Sequence, residues 1–104
     1  MKFDKKLDRL LGRHFELTFP DFPEDDEFND WVTELVDYDS YLFGASTAGK
    51  VNSKMIKDFS IFCKKLDELN LKNEDDKVIL KNCLIYTESL KSIIEYALQF
   101  SGEN

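Results

Sequence analysis

Glu16, Asp21, Glu24, Asp25, Asp26, Glu27, Asp30, Glu34, Asp37 and Asp39 fall between His14 and Gly49 with no Lys or Arg among them. Carboxylates packed this densely suit two kinds of chemistry: holding a metal ion or attracting a cationic partner. The spacing is wrong for the first. An EF-hand alternates oxygen ligands along a loop that turns at a glycine, and Asp25-Asp26-Glu27 followed by Asp30 has neither feature. Attraction needs only the charge. A dense negative patch draws basic surfaces and repels phosphates, acidic lipid head groups and nucleic acid. The chain holds 21 acidic and 14 basic residues, a net charge of −7, and outside this stretch the signs nearly balance.

Other residues invite more specific chemistry and fall short of it. Gly44-Ala45-Ser46-Thr47-Ala48-Gly49-Lys50 fits the first seven positions of the phosphate-binding loop GxxxxGK[ST], but Val51 stands where a magnesium-binding hydroxyl belongs. No parallel sheet or second acidic motif after a strand accompanies it, and the carboxylates upstream repel a nucleotide. An ordinary Gly/Ser/Thr loop is the expectation there. His14 is the sole histidine. A general base or metal site needs companions, so His14 reads as a partly buried packing residue. Cys63 and Cys83 lie on either side of a turn at residues 70–73, where an antiparallel hairpin brings them near each other. They read as small apolar core residues; a redox or metal pair has tighter spacing, such as CxxC. No catalytic residue, metal or cofactor is implied.

Helices position these residues. Phe3, Leu7, Leu10, Leu11 and His14 share one face of a helix over residues 3–15, with Lys2, Lys6, Arg9 and Arg13 on another. Pro20 and Pro23 then hold the chain extended, and Asp21 with Glu24 resembles a capping box for a second helix over residues 23–38. Phe28, Trp31, Val32 and Leu35 form its apolar face, with Trp31 in the core. Glu27, Asp30, Glu34 and Asp37 form a separate stripe. Residues 39–52, broken by Gly44 and Gly49, read as a loop. A third helix starts after Asn52 or Ser53, both good caps, and buries Met55, Ile56, Phe59, Phe62, Cys63, Leu66 and Leu69. Asn73 caps a fourth, whose Glu74, Asp75 and Asp76 suit its positive end and which runs to about Phe100 before Ser101-Gly102. Apolar residues cover about half of this last helix, as in a central element. The short turn before it packs the last two helices antiparallel.

The expected fold is therefore all-α, a compact bundle of about four helices in one domain spanning residues 1–104. Nine Phe, four Tyr and one Trp supply a core, and four Gly and two Pro leave the helices uninterrupted. The start, Met1-Lys2-Phe3-Asp4-Lys5-Lys6, has no apolar run of a secretory signal, and no apolar stretch approaches the ~20 residues that cross a bilayer. Two cysteines are too few for a disulfide scaffold, so both read as reduced and the protein as cytoplasmic.

The stripe on the second helix has an energetic signature. Asp30/Glu34 at i,i+4, and Glu27/Asp30 and Glu34/Asp37 at i,i+3, each cost about 0.2–0.5 kcal/mol of helix stability. Interleaved lysines would give solubility without that cost. Two readings remain open: a face that is solvated or paired internally with the basic stripe of the first helix, and a face that binds a basic partner. The partner-binding set is Asp21, Glu24, Asp25, Asp26, Glu27, Asp30, Glu34, Asp37 and Asp39, with Tyr38 and Tyr41 as aromatic anchors.

Leu7-Asp8-Arg9-Leu10-Leu11-Gly12-Arg13-His14-Phe15, then Asp21-Phe22, then Glu24-Asp25-Asp26-Glu27 leading into Phe28 and Trp31-Val32, resembles the opening of bacterial contact-dependent growth inhibition immunity proteins. The resemblance lies within the first forty residues. It implies a non-enzymatic inhibitor whose partner is the C-terminal domain of a cognate toxin, with neither nucleic acid nor membrane as its ligand. Many such toxins are nucleases with basic clefts, which an acidic inhibitor suits. The alternative is an acidic helical adaptor or regulator of a basic cellular protein. Both leave the oligomeric state open, since the basic and acidic stripes can pair between molecules as easily as within one.

Overall fold

The computed structural model describes residues 4–100. Four helices, α1 (Lys5–Glu16), α2 (Asp26–Ala48), α3 (Ser53–Lys64) and α4 (Glu74–Ala97), account for most of the chain, and short 3₁₀ turns follow α3 at Lys65–Glu68 and α4 at Leu98–Phe100. No strand occurs among the described residues. Lys2 and Phe3, assigned above to the first helix, and Ser101-Gly102, assigned to the last terminus, lie outside them.

Each helix begins on a side chain that satisfies an orphan backbone donor. Asp4 accepts from Leu7 N at 2.8 Å, Asp25 from Phe28 N at 2.9 Å, Asn52 from Met55 N at 3.0 Å and Asn73 from Asp75 N at 2.7 Å. The Leu7 N–H holds the pKa of the Asp4 carboxyl below the usual carboxylate range. The Asp21/Glu24 capping box is thus corrected: Asp25 is the cap, and α2 starts three residues later than the periodicity indicates. The segment before α2 is held from far away in sequence. Asp76 in the first turn of α4, only 2% exposed, accepts from Glu24 N at 3.0 Å and from Asp25 N at 2.9 Å. Those two donors fasten the segment before α2 to α4, and the extended ψ of 126° at Asp25 keeps residues 24 and 25 outside the helix.

The loop expected over residues 39–52 is also corrected. α2 continues for ten further residues to Ala48 and stops at Gly49, whose φ of 70° is the left-handed conformation that glycine adopts without strain. Leu42, Ala45 and Ser46 prolong the buried stripe begun by Phe28, Trp31, Val32 and Leu35. Ser46 Oγ donates back to the Leu42 carbonyl at 2.8 Å. Packing outweighs the helix penalty of Gly44, about 1 kcal/mol.

α4 is the hub, with α1, α2 and α3 each packed on it. Leu90, Ile93 and Ile94 are fully buried there, together with Phe28, Val32, Leu35 and Leu42 of α2 and Phe59 of α3. Each such side chain contributes about 1.5–3 kcal/mol. The opposite face of α4 leaves Val78, Leu84 and Ile85 more than half exposed. Aromatic stacking joins α2 to α3. Trp31 lies parallel to Phe62 with centroids 4.5 Å apart and planes at 4°, and its indole N–H donates to the Phe62 carbonyl at 2.8 Å.

Candidate functional site

The α2 stripe forms along one side of the helix. Glu27, Asp30, Glu34 and Asp37 are all exposed, and none enters an ion pair among the described residues. At 1.5 Å per residue the row from Glu27 to Tyr41 runs about 21 Å. The proposed internal neutralisation by α1 does not occur among the described residues. Lys6 places its ammonium over the Tyr96 ring at 4.8 Å, and Arg9 and Arg13 are exposed and unpaired with α2.

The remaining members of the sequence-derived set divide by what they touch. Asp26 is exposed in the first turn of α2. Asp25 is consumed as its cap, and Glu24 accepts from the Asn73 side-chain amide at 2.8 Å. Asp21 lies in the linker, beside a surface groove also lined by Leu17, Phe19, Ile85 and Tyr86. Asp39 leaves the stripe altogether. It faces α1 and α4, where Oδ1 meets His14 Nε2 at 2.8 Å and Oδ2 accepts from the Tyr86 hydroxyl at 3.0 Å.

Tyr38 and Tyr41 stand where α2 faces α3. The Tyr38 ring packs on Phe59 and Phe62 with centroids 5.4 and 4.6 Å away, while Tyr41 is 56% exposed. The two rings are shared by adjoining clefts. One, of about 260 Å³, is lined by Glu34, Asp37, Tyr38 and Tyr41; the other, of about 190 Å³, by both tyrosines with Asn52, Lys54, Met55 and Asp58. Lys54 donates to Asp58 at 2.6 Å across the second. The Tyr38 hydroxyl is made less acidic than usual, first by burial and then by the negative charges of Glu34 and Asp58. Carboxylates from two helices therefore converge on one aromatic wall. The α3 members Asp58 and Met55 were missed in sequence because nothing local tells which face of α3 meets α2.

His14 is more than a packing residue. It is 3% exposed, with Nε2 on Asp39, Nδ1 on Ser89 Oγ at 3.0 Å, and its ring 4.5 Å from that of Tyr86. A carboxylate only accepts, so Nε2 carries a proton toward Asp39; in the neutral ring Nδ1 accepts from Ser89. Ser89, His14 and Asp39 have the connectivity of a nucleophilic triad. Acyl transfer also needs free donors aimed at an oxyanion, and the backbone N–H groups around Ser89 are engaged inside α4. The cluster instead ties α1, α2 and α4 at one point.

The ordinary loop expected at residues 44–50 is mostly helix, and the phosphate-loop pattern set aside above gains no support from it. Residues 44–48 lie inside α2, so their N–H groups point along its axis and form no cradle. Cys63 and Cys83 are both free thiols; Cys83 is buried and Cys63 half-buried. Burial pushes the Cys83 thiol up to about 12. No helix among the described residues is long and apolar enough to cross a membrane, and no cluster of three metal-ligating side chains occurs there. No protein-family model, curated protein or solved structure matches the chain.

Proposed function

We propose that this chain is a cytoplasmic, non-enzymatic immunity protein that binds the C-terminal domain of a cognate bacterial toxin, a basic nuclease, and neutralises it. The observation that carries the reading is the exposed row Glu27, Asp30, Glu34 and Asp37, held at destabilising like-charge spacing without an ion-pair partner among the described residues. The resemblance of the first forty residues to the immunity proteins supplies the class of partner. Carboxylates placed where a nuclease holds phosphates block its cleft, and the charge accelerates encounter. Anchors such as the two tyrosines slow departure.

The test is to look for a large toxin gene directly upstream of this one, co-express its C-terminal domain with the chain, and measure affinity over a salt series. Rescue of growth is the expected result. The combined variant Glu27→Gln, Asp30→Asn, Glu34→Gln, Asp37→Asn should bind at least about tenfold more weakly at low salt and with a shallower salt dependence. Its helix content should be unchanged. Undiminished affinity places the interface elsewhere. Absence of rescue by the unmodified chain overturns the toxin reading in favour of an acidic adaptor for another basic protein.

A further inference from the structure

The cleft at the α2–α3 boundary differs from the rest of the acidic row in having an aromatic wall. Tyr38 is held against Phe59 and Phe62, so its ring is positioned before any partner arrives. Tyr41, one turn further on, leaves more than half of its surface uncovered. Glu34 and Asp37 line the cleft on one side of the two rings, and Asp58 of α3 lines the adjoining cleft on the other. The chain places one cation of its own in the adjoining cleft. Lys54 reaches one turn along α3 to Asp58, and its ammonium is held more firmly protonated by that hydrogen bond and by the Asp58 charge. Lys54 meets Asp58 alone; Glu34 and Asp37 have no ion-pair partner among the described residues.

We propose that this cleft seats a single arginine side chain of the basic protein partner. The inference rests on the proposed binding of such a partner and names where its anchor enters. A guanidinium is flat, so it lies against the tyrosine rings by cation–π contact while its edges donate to Glu34 and Asp37. An ammonium is a point charge that meets one carboxylate, as Lys54 does, or sits over a ring, as Lys6 does on Tyr96. It has no flat face with which to stack on the rings while its edges donate to both carboxylates. The partner's arginine enters beside Lys54, whose like charge opposes it.

The probes are blocked tetra-arginine and tetra-lysine peptides, which carry equal charge, titrated into the full chain and followed by backbone amide shifts in NMR. The shifts should concentrate at residues 34–41 and 52–58, with the arginine peptide about threefold tighter than the lysine peptide. Tyr41→Ala changes no charge and removes an exposed ring. It should weaken the arginine peptide more than the lysine peptide and so erase the arginine preference, while Tyr41→Phe retains it. Lys54→Ala should tighten the arginine peptide more than Lys72→Ala, which removes the same charge at an exposed position after α3. Equal affinity for the two peptides, or shifts centred on residues 21–27, overturns the proposal. With the toxin itself, undiminished binding to Tyr41→Ala overturns the cleft and leaves the toxin reading standing. An arginine-selective cleft in a chain that neutralises no toxin does the reverse.

Discussion

Asp76→Ala removes a carboxylate that the sequence marks only as suiting the positive end of α4, with no sign of its hold on the start of α2. Its two oxygens accept from Glu24 N at 3.0 Å and Asp25 N at 2.9 Å, and it is 2% exposed. Hydrogen bonds to a charged acceptor contribute about 1.5–3 kcal/mol each. The sum is reduced because Glu24 is exposed, so water satisfies its N–H in the variant, and because a buried charge is no longer desolvated. A loss of about 2–4 kcal/mol remains. With a urea slope of about 1.5 kcal/mol/M for a domain of this size, the unfolding midpoint falls by about 1.3–2.7 M. Asp76→Asn keeps one acceptor and turns an amide N–H₂ toward the other donor, which should cost about 2 kcal/mol. Hydrogen exchange should quicken at residues 24–28 beyond the global change, because the start of α2 is released from α4. A midpoint shift worth less than about 0.5 kcal/mol, within the range of an ordinary surface substitution, would refute the clamp.

Gly44→Ala should stabilise the protein by about 0.5–1 kcal/mol, since the residue is helical and a Cβ there meets nothing within 4 Å. Thermal unfolding should show a rise of about 2–8 °C; a fall would show that α2 does not run through residue 44. The cysteines and tyrosines predict alkaline sensitivity. Burial raises the Cys83 thiol from its ordinary 9.0 to about 12, and burial followed by the Asp39 charge raises the Tyr86 phenol. Above pH 9 the unfolded chain loses protons that the folded chain keeps, so urea midpoints should fall as pH rises toward 12. Cys83→Ala should flatten that fall, and Cys83 should resist thiol reagents at pH 8 until the chain unfolds.

Local periodicity made α1, α3 and α4 legible, and Asn52 and Asn73 marked the starts of the last two. The Asp4 cap of α1 was passed over, because the apolar spacing extends back to Phe3 and placed Asp4 inside the helix. The second half of α2 was hidden by Gly44 and Gly49. These punctuate in the sequence, yet only Gly49 does so in the fold; the run Leu35, Leu42, Ala45, Ser46 keeps helical spacing across Gly44. At the α2 N-terminus the run Asp21, Glu24, Asp25 offers several acceptors in a row, and which one caps, Asp25, is not told by spacing; the hold of Asp76 on Glu24 and Asp25 comes from 52 and 51 residues away. For the candidate site, the carboxylate row follows from spacing alone. The departure of Asp39 toward His14 and the arrival of Asp58 beside Tyr38 depend on how helices cross, which no window of residues encodes.

The pairing of Trp31 with Phe62 gives the molecule a built-in optical reporter. The chain holds a single indole, and it lies against the same Phe62 ring on which Tyr38 rests. Any change in the spacing of α2 and α3 must slide one ring over the other or lengthen the bond from the indole to the Phe62 carbonyl. Its emission therefore registers the opening or closing of that seam without a label.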